Sequence, residues 1–241
     1  MFHVKHILSE DQIFRFQKAC STFLKTQNSC KIGIPREMLE KFQIYLNQIL
    51  DWNKRIHLVS NYDANPERIL RHFVDSLTVF KAIQIPHQTD LLDLGAGPGF
   101  PSIPIKIIRD DLSLSLVESI RKKGLFLQKL IKDLKLKDVS VVNKRAEDLM
   151  DAFNYKEKFD IVTAKALGRL KNTIGLSAYF LKKKGLLIAY KGEKVEEEIR
   201  NIEEKNFLIR KKILVKIPDF DLKRTIVVVE KIGSTVNGLN G

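Results

Sequence analysis

Cysteine, proline and long apolar runs are all scarce in this sequence of 241 residues. Its two cysteines, Cys20 and Cys30, form neither a metal-ligand spacing nor a local redox motif, so a disulfide framework is excluded and a reducing compartment is expected. No apolar stretch approaches the length that spans a bilayer, and residues 1–6 contain no apolar segment of the signal-peptide type. The sequence therefore predicts a soluble, cytoplasmic protein without membrane association.

Acidic residues are also few relative to basic ones. The chain has 42 Lys and Arg against 29 Asp and Glu, a net charge of +13 and a pI near 9.6. This excess favours a polyanionic partner such as nucleic acid over plain solubility, which an acidic surface would serve equally well. The length allows one large α/β domain, or one domain with a helical extension.

The most informative stretch follows a short apolar run at residues 91–94, which is typical of a strand buried on both faces. Three glycines come next at alternate positions, Gly95, Gly97 and Gly99, and Pro101 lies where the first turn of a helix would begin. A strand, a tight turn and a helix N-terminus in this order bring bare backbone N–H groups against a ligand.

The spacing of the glycines restricts the ligand. Phe100 occupies the position that the dinucleotide fingerprint reserves for its third glycine, and no Lys-Ser or Lys-Thr follows Gly99 as a P-loop would require. Residues 93–99 instead resemble motif I of the S-adenosylmethionine (SAM)-dependent methyltransferases. An ordinary glycine-rich turn between a strand and a helix is the alternative.

Two acidic positions downstream suit a nucleotide-like ligand. Residues 113–118 alternate as a strand does and end in Glu118, at about the 20-residue spacing where a carboxylate accepts from ribose hydroxyls. A second apolar strand leads into Glu147 and Asp148, where the adenine edge would lie in such a fold. The alternatives are a surface role for Glu118 and a helix N-cap for the acidic pair.

Helical spacing of apolar residues dominates the first part of the chain, near residues 9–25, 35–50 and 67–77. Beyond residue 89, strands and helices alternate, which predicts a mostly parallel sheet with helices on both faces and a final antiparallel hairpin. The predicted strands span residues 90–94, 113–118, 139–143, 159–164, 186–190, 207–216 and 225–231. The predicted helices span 101–109, 121–136, a short segment near 146–153, 170–181 and 193–205. We expect a helical lobe over 1–85, a methyltransferase domain over 86–233 and a flexible tail over 234–241.

Four segments carry a more specific resemblance: residues 52–56, 71–76, 95–104 and 144–147. Together they resemble the ribosomal RNA small subunit methyltransferase G family, also called glucose-inhibited division protein B, and the likeness extends over most of Trp52–Lys231. The resemblance implies a Rossmann-like class I SAM-dependent methyltransferase with a seven-stranded, mostly parallel sheet and an N-terminal helical extension. It also implies methylation of N7 of a guanine in a conserved loop of 16S rRNA.

Eight residues are the candidates for binding SAM. They are Gly95, Gly97, Gly99, Phe100, Glu118, Ala146, Glu147 and Lys165. By the resemblance, Gly95 and Phe100 contact the cofactor, and Ala146 and Glu147 line its adenine. Lys165 departs from the family's pattern, because Ala-Lys-Ala stands here where the family usually has Ser-Arg-Ala. Lysine keeps the charge but lacks the planar fork of arginine.

No catalytic acid, catalytic base or metal ligand is predicted. Guanine N7 carries a lone pair and no proton, so attack on a sulfonium methyl needs positioning and desolvation instead of a general base. The chain has no Asn-Pro-Pro-aromatic motif for amine methylation, and neither cysteine follows a strand of the α/β region. A small-molecule SAM methyltransferase and a non-enzymatic rRNA-binding assembly protein remain as alternative functions.

The expected macromolecular partner is 16S rRNA or the small ribosomal subunit, bound by a monomer. Residues 106–145 contain eleven Lys and Arg but only five Asp and Glu. The candidates for RNA contact are Lys54, Arg55, Arg71, His72, Arg121, Lys122 and Lys123. The last three begin a predicted helix, where cations oppose the helix dipole. For Arg71 and His72, a core-facing position with buried partners is an equal alternative.

Overall fold

The structure is a computed structural model that describes residues 8–24, 34–192, 195–200, 202 and 205–233. The predicted tail over 234–241 and Cys30 lie outside the described residues. Within these ranges, no helix is long and apolar enough to cross a membrane.

Among the described residues, four helices precede the sheet. They are α1 (Glu10–Leu24), α2 (Arg36–Asn53), α3 (Pro66–Ser76) and α4 (Val79–Ala82). The first three lie close to their predicted positions. At the start of α3, Asn65 accepts a hydrogen bond from Arg68 N at 3.0 Å and Pro66 occupies the first helical position, as N-cap preferences require. The single-turn helix α4 was not predicted, because four residues carry no periodicity.

Seven strands form one sheet in the order β3-β2-β1-β4-β5-β7-β6. They are β1 (Asp90–Leu94), β2 (Ser113–Val117), β3 (Val139–Val142), β4 (Phe159–Lys165), β5 (Leu181–Lys191), β6 (Phe207–Ile217) and β7 (Leu222–Lys231). Only β7 runs antiparallel to its neighbours β5 and β6. The predicted fold class is confirmed. The strand order reverses between β1 and β4, and such a switch point places ligands at the carboxyl ends of the strands.

Four further helices connect the strands in the part of the chain that the structure describes. They are α5 (Ser102–Ile108), α6 (Arg121–Asp133), α7 (Leu170–Phe180) and α8 (Val195–Arg200). The short helix predicted near 146–153 is present as two separate 3-10 turns, Glu147–Leu149 and Phe153–Tyr155. These short turns follow β3 and lead the chain into β4.

The start of β5 differs most from the prediction. The strand begins at Leu181 instead of residue 186, and its pairing with β4 jumps from Phe159 opposite Leu181 to Ile161 opposite Leu186. The extra residues form a bulge in which Lys184 has a φ of +67°. The lysines of this bulge do not alternate with apolar residues, so the sequence pattern could not predict that the strand extends through them.

The helices of the first part share a hydrophobic core with one face of the sheet. Phe42 and Phe73 pack with ring centroids 5.0 Å apart, and Phe73 lies 5.8 Å from Phe100, which follows the glycine turn. Helices α7 and α8 cover the other face. The division into a lobe over 1–85 and a domain over 86–233 stays a prediction.

Candidate functional site

The glycine turn lies between β1 and α5, at the carboxyl end of the central strand. The three glycines have φ values of +72°, +55° and +99°, and Gly95 N and Ala96 N both donate to Val117 O, at 3.0 and 2.9 Å. These bonds fix the turn, called here the glycine loop (residues 95–99), against the end of β2.

The surroundings of Gly99 and Gly97 differ in the space that they leave for a side chain. A Cβ on Gly99 would lie 2.6 Å from Tyr45 Oη and 2.8 Å from Ile103 Cγ1, so packing alone requires glycine there. A Cβ on Gly97 would meet nothing closer than Gly95 O at 3.9 Å. The space beside Gly97 is therefore open to a molecule that approaches the backbone closely.

Glu118 lies directly beside the glycine loop and is only 5 % exposed. Its Oε2 accepts from Gly97 N and its Oε1 from Ile120 N, both at 2.8 Å, while Asn143 Nδ2 donates to its backbone carbonyl at 2.6 Å. Each carboxylate oxygen retains a further lone pair for hydroxyl donors. Two of the predicted cofactor-binding residues, Gly97 and Glu118, are thus in direct contact.

Asp93, the acidic residue before the loop, is fully buried. Its Oδ1 accepts from Thr163 Oγ1 at 3.1 Å, whereas Oδ2 has no hydrogen-bond partner within the part of the chain that the structure describes. Burial raises the pKa of Asp93 to about 7. A buried oxygen without a hydrogen-bond donor is rare in folded proteins, and it makes Asp93 a candidate to accept a hydrogen bond from a ligand.

An ionic cluster of Asp75, Lys165 and Arg224 lies next to Phe100. Arg224 binds both oxygens of Asp75 at 2.8 Å, and Lys165 Nζ lies 2.8 Å from Asp75 Oδ2. The same ammonium lies 5.2 Å from the centroid of the Phe100 ring. Burial lowers the pKa of Lys165 and raises that of Asp75, but the two cations hold Asp75 below its usual value. Asp75 and Arg224 were not predicted as site residues.

His72 also packs against the Phe100 ring. The two rings stack with centroids 5.1 Å apart and an interplanar angle of 20°, and His72 Nε2 is 3.6 Å from Asp63 Oδ1. Burial and the charge of Lys165 lower the pKa of His72 to about 4. The half-buried position of His72 favours the packed alternative over a freely exposed RNA contact.

The remaining candidates occupy loops and helix ends. Ala146 and Glu147 follow β3, where Glu147 is exposed and Ala146 half-buried. Lys54 and Arg55 are exposed just after α2, and Arg71 is half-buried on α3. Residues 121–123 form the first turn of α6, in which Arg121 and Lys122 are exposed.

Two cations of the basic stretch over residues 106–145 have a different role. Lys106 is 1 % exposed and donates to Asp110 O and Leu112 O at 2.7 and 2.5 Å. Arg109 is also buried, with its guanidinium on Asp111 and on Ile85 O. Both hold the turn between α5 and β2, so their inclusion in a basic surface was wrong.

Comparison with known proteins identifies the family. A profile described as rRNA small subunit methyltransferase G matches residues 38–227. The chain belongs to the rRNA small subunit methyltransferase G family. The protein of that name from Lachnoclostridium phytofermentans is 35 % identical over 221 residues, which cover 89 % of this chain and 90 % of the relative. The protein of that name from Desulfitobacterium hafniense is 38 % identical over 216 residues, covering 87 % and 88 %.

Solved structures agree on the fold. MtNAS in complex with MTA and tNA superimposes with a TM-score of 0.52 at 15 % identity, covering 81 % of this chain and 70 % of that one. A fibrillarin/Nop5p complex also gives 0.52, at 18 % identity and with 66 % and 80 % coverage. At these identities the likeness concerns the fold alone. Membership of the family makes this chain a SAM-dependent methyltransferase.

Proposed function

We propose that this chain transfers the methyl group of SAM to N7 of a guanine in 16S rRNA. The observation that carries the proposal is the open space beside Gly97, bordered by the fixed carboxylate of Glu118. The orphan oxygen of Asp93 at the end of β1 supports it, because a cationic or donor group of the cofactor would satisfy that atom. The residues that would hold SAM are Gly95, Gly97, Gly99, Phe100, Glu118, Ala146, Glu147 and Lys165.

When bound, SAM supplies an electrophilic methyl group on a positively charged sulfur. Guanine N7 has no proton to lose, so the protein's part is to hold the base in line and to exclude water. His72, with a pKa of about 4, is neutral at pH 7. A neutral imidazole adds no positive charge beside Phe100, where the nearby ammonium of Lys165 is paired with Asp75.

The basic residues would hold the substrate through its phosphates. The net charge of +13 and the exposed cations Lys54, Arg55, Arg121 and Lys122 support an RNA partner, which the names of the relatives give as small subunit rRNA. Arg71 and Lys123 are half-buried and would contribute at the border of this surface. We further propose that the protein works in the cytoplasm as a monomer, on either the rRNA or the small subunit.

The direct test maps N7-methylguanine in 16S rRNA from cells with and without this protein. Loss of one methylation site on deletion, and its return on complementation, is expected. Calorimetry with SAM gives a second, independent measurement. Binding of SAM without any change in rRNA methylation would contradict the proposal in favour of a small-molecule substrate, and absence of SAM binding would favour a non-enzymatic RNA-binding role.

A further inference from the structure

An exposed aromatic ring lies on the loop between α2 and α3. Tyr62 is 67 % exposed, and the guanidinium of Arg68 lies over its ring, 4.2 Å from the centroid. Arg68 Nη2 also donates to the Tyr62 hydroxyl. Tyr62 and Arg68, each with a planar side-chain group, thus form a preassembled pair at the surface instead of packing into the core.

The loop that carries Tyr62 is fixed by its own hydrogen bonds. Asn53 Oδ1 accepts from Leu58 N at 2.8 Å and from Val59 N at 2.9 Å, and Asn65 Nδ2 donates to Tyr62 O at 3.0 Å. Ser60 Oγ donates to Asp63 Oδ2 at 2.7 Å. Because these bonds hold the backbone, the ring of Tyr62 is not needed to fold the loop.

The position of Arg68 is not explained by helix stability. It lies in the first turn of α3, where a cation opposes the helix dipole. The neighbouring Glu67 is paired with Arg15, and Arg68 has no carboxylate partner among the residues that the structure describes. Such a cation, kept against an aromatic face, is available to a ligand.

A short chain of contacts connects this pair with the glycine loop. Asp63, next to Tyr62, lies 3.6 Å from His72 Nε2, and His72 stacks on Phe100 at 5.1 Å. Phe100 directly follows Gly99. The loop that carries Tyr62 is therefore linked to Phe100, a predicted cofactor-binding residue, by two side-chain contacts.

We propose that Tyr62 and Arg68 form a stacking platform for an unpaired base of the RNA substrate, next to the nucleotide that is methylated. This inference rests on the proposed function. An unpaired base offers a free π-face to aromatic and guanidinium planes, whereas a base within a duplex does not. Exposed Arg55 and half-buried Arg71 have no ion pair within the described residues and would accompany the base with phosphate contacts. The platform therefore favours an RNA loop over a helix.

The test measures the affinity of the full chain for a short single-stranded oligoribonucleotide that contains 2-aminopurine, by fluorescence quenching. Tyr62→Ala should weaken binding by about 5- to 150-fold, the range of one stacked base, and Tyr62→Phe should stay within about twofold of wild type. Arg68→Lys keeps the charge, so the salt slope should be unchanged while affinity falls by about two- to fivefold. A duplex of the same length should bind all variants alike.

A matched control is Phe153→Ala, since Phe153 is 85 % exposed on a turn outside the candidate site. Its affinity for the oligoribonucleotide should equal that of wild type, and SAM binding by Tyr62→Ala should be unchanged, which shows that the variant is folded. Equal losses in Tyr62→Ala and Tyr62→Phe would overturn the stacking platform, because the hydroxyl and not the ring would then matter.

The remaining outcomes separate the platform from the proposed function. If wild type methylates 16S rRNA and Tyr62→Ala binds the oligoribonucleotide equally well, only the platform is overturned. If Tyr62→Ala binds the oligoribonucleotide normally but no longer binds the intact small subunit, the platform is overturned in favour of a protein contact. If wild type neither binds RNA nor methylates it, both inferences fall together.

Discussion

Buried charged groups are hydrogen-bonded differently at the two edges of the sheet where the parallel strands begin and end, called here the amino edge and the carboxyl edge. At the amino edge, where the parallel strands begin, Lys231 is 1 % exposed and its ammonium donates to Glu157, Ala178 O and Leu181 O at 2.8–2.9 Å. At the carboxyl edge, the buried ammonium of Lys165 has Asp75 as its one close ionic partner within the described residues. Asp93 Oδ2, also at the carboxyl edge, has no partner there.

This difference separates a stabilising edge from an edge prepared for a ligand. An ammonium with all three donors used contributes to a fixed fold, whereas an incompletely bonded buried group costs free energy until another molecule completes it. The glycine loop, Glu118 and the ionic cluster all lie at the carboxyl edge. Substitutions at the two edges should therefore differ in what they damage.

The largest effect is expected for Asp75→Ala. Removing this carboxylate leaves the buried ammonium of Lys165 and the half-buried guanidinium of Arg224 without their anion, so unfolding free energy should fall by about 3–5 kcal/mol. The amino-edge counterpart Lys182→Ala breaks pairs that are 40 % exposed and should cost less than about 1 kcal/mol. Urea unfolding, followed by the fluorescence of the single tryptophan Trp52, measures both. Equal losses would remove the distinction between the edges.

The second prediction compares two positions of the glycine loop. Gly97→Ala places a methyl group in open space, so we expect at least about a tenfold loss of SAM affinity with a stability cost of about 1–2 kcal/mol from its positive φ. Gly99→Ala forces a Cβ against Tyr45 and Ile103 and should mainly lower stability. Calorimetry and urea unfolding of both variants test this, and unchanged SAM affinity in folded Gly97→Ala would contradict the placement of the cofactor.

Glu118→Gln should act on binding more than on the fold. In Glu118→Gln the amide is uncharged and has a single accepting oxygen, so fewer acceptor sites remain for the hydroxyl groups of the cofactor beside the backbone N–H groups, and SAM affinity should fall by about 1–3 kcal/mol. Asp160→Asn is the control at the amino edge, since Asp160 also accepts a backbone N–H, from Asp90 at 2.9 Å. SAM titrations of the two variants should separate them; a loss in Asp160→Asn of similar size would indicate a general effect on the sheet.

The basic surface gives a comparison that depends on salt. Replacing Arg121, Lys122 and Lys123 with Ala should lower the slope of log RNA affinity against log salt by about two to three units, because each neutralised phosphate contributes about 0.7–0.9. The same change at exposed Lys158, Lys183 and Lys184, beside the amino edge, should leave the slope unchanged. Filter binding at several salt concentrations provides the measurement. If only the variant at the amino edge lowered the slope, the RNA-binding surface would lie at that edge instead.

The elements of the fold could be predicted because their patterns are local. The strand over 90–94 is an apolar run before a glycine turn, and the structure places β1 at the same residues. The spacing to Glu118 predicts a carboxylate that accepts from the cofactor's ribose; this role stays a prediction, and the structure places the carboxylate against Gly97 N of the glycine loop. Both predictions concern residues at the carboxyl ends of neighbouring strands, β1 and β2, where the local sequence pattern determines the local structure.

Contacts between residues that are far apart in the chain could not be predicted from the sequence. Asp75 and Arg224 are 149 residues apart, and only the packing of α3 against β7 brings them together. Lys106 was wrongly grouped with surface cations because its partners are backbone carbonyls, which residue types do not reveal. A charged residue's burial depends on tertiary contacts, so composition alone overestimated the basic surface.

The smallest net effect is expected from pH, because two groups at the carboxyl edge act in opposite directions. Asp93, with its pKa raised to about 7, binds its proton more tightly in the folded state, so its contribution to stability falls as pH rises from about 4 to 7. His72, with its pKa lowered to about 4, is charged more readily when unfolded, so its contribution rises between about pH 4 and 6.5. In wild type the two slopes largely cancel within that window.

Single substitutions should reveal each slope. Relative to wild type, Asp93→Asn should gain stability as pH rises from 4 to 7, and His72→Gln should lose stability from pH 4 to 6.5, each by up to about 1.4 kcal/mol per pH unit. Urea unfolding at half-unit pH steps measures the differences, in which the other carboxyl groups cancel because all the proteins share them. Lys182→Ala at the amino edge serves as the control and should run parallel to wild type. If the unfolding free energies of both variants followed the same pH dependence as wild type, Asp93 and His72 would contribute no more to the pH dependence of stability than the groups at the amino edge.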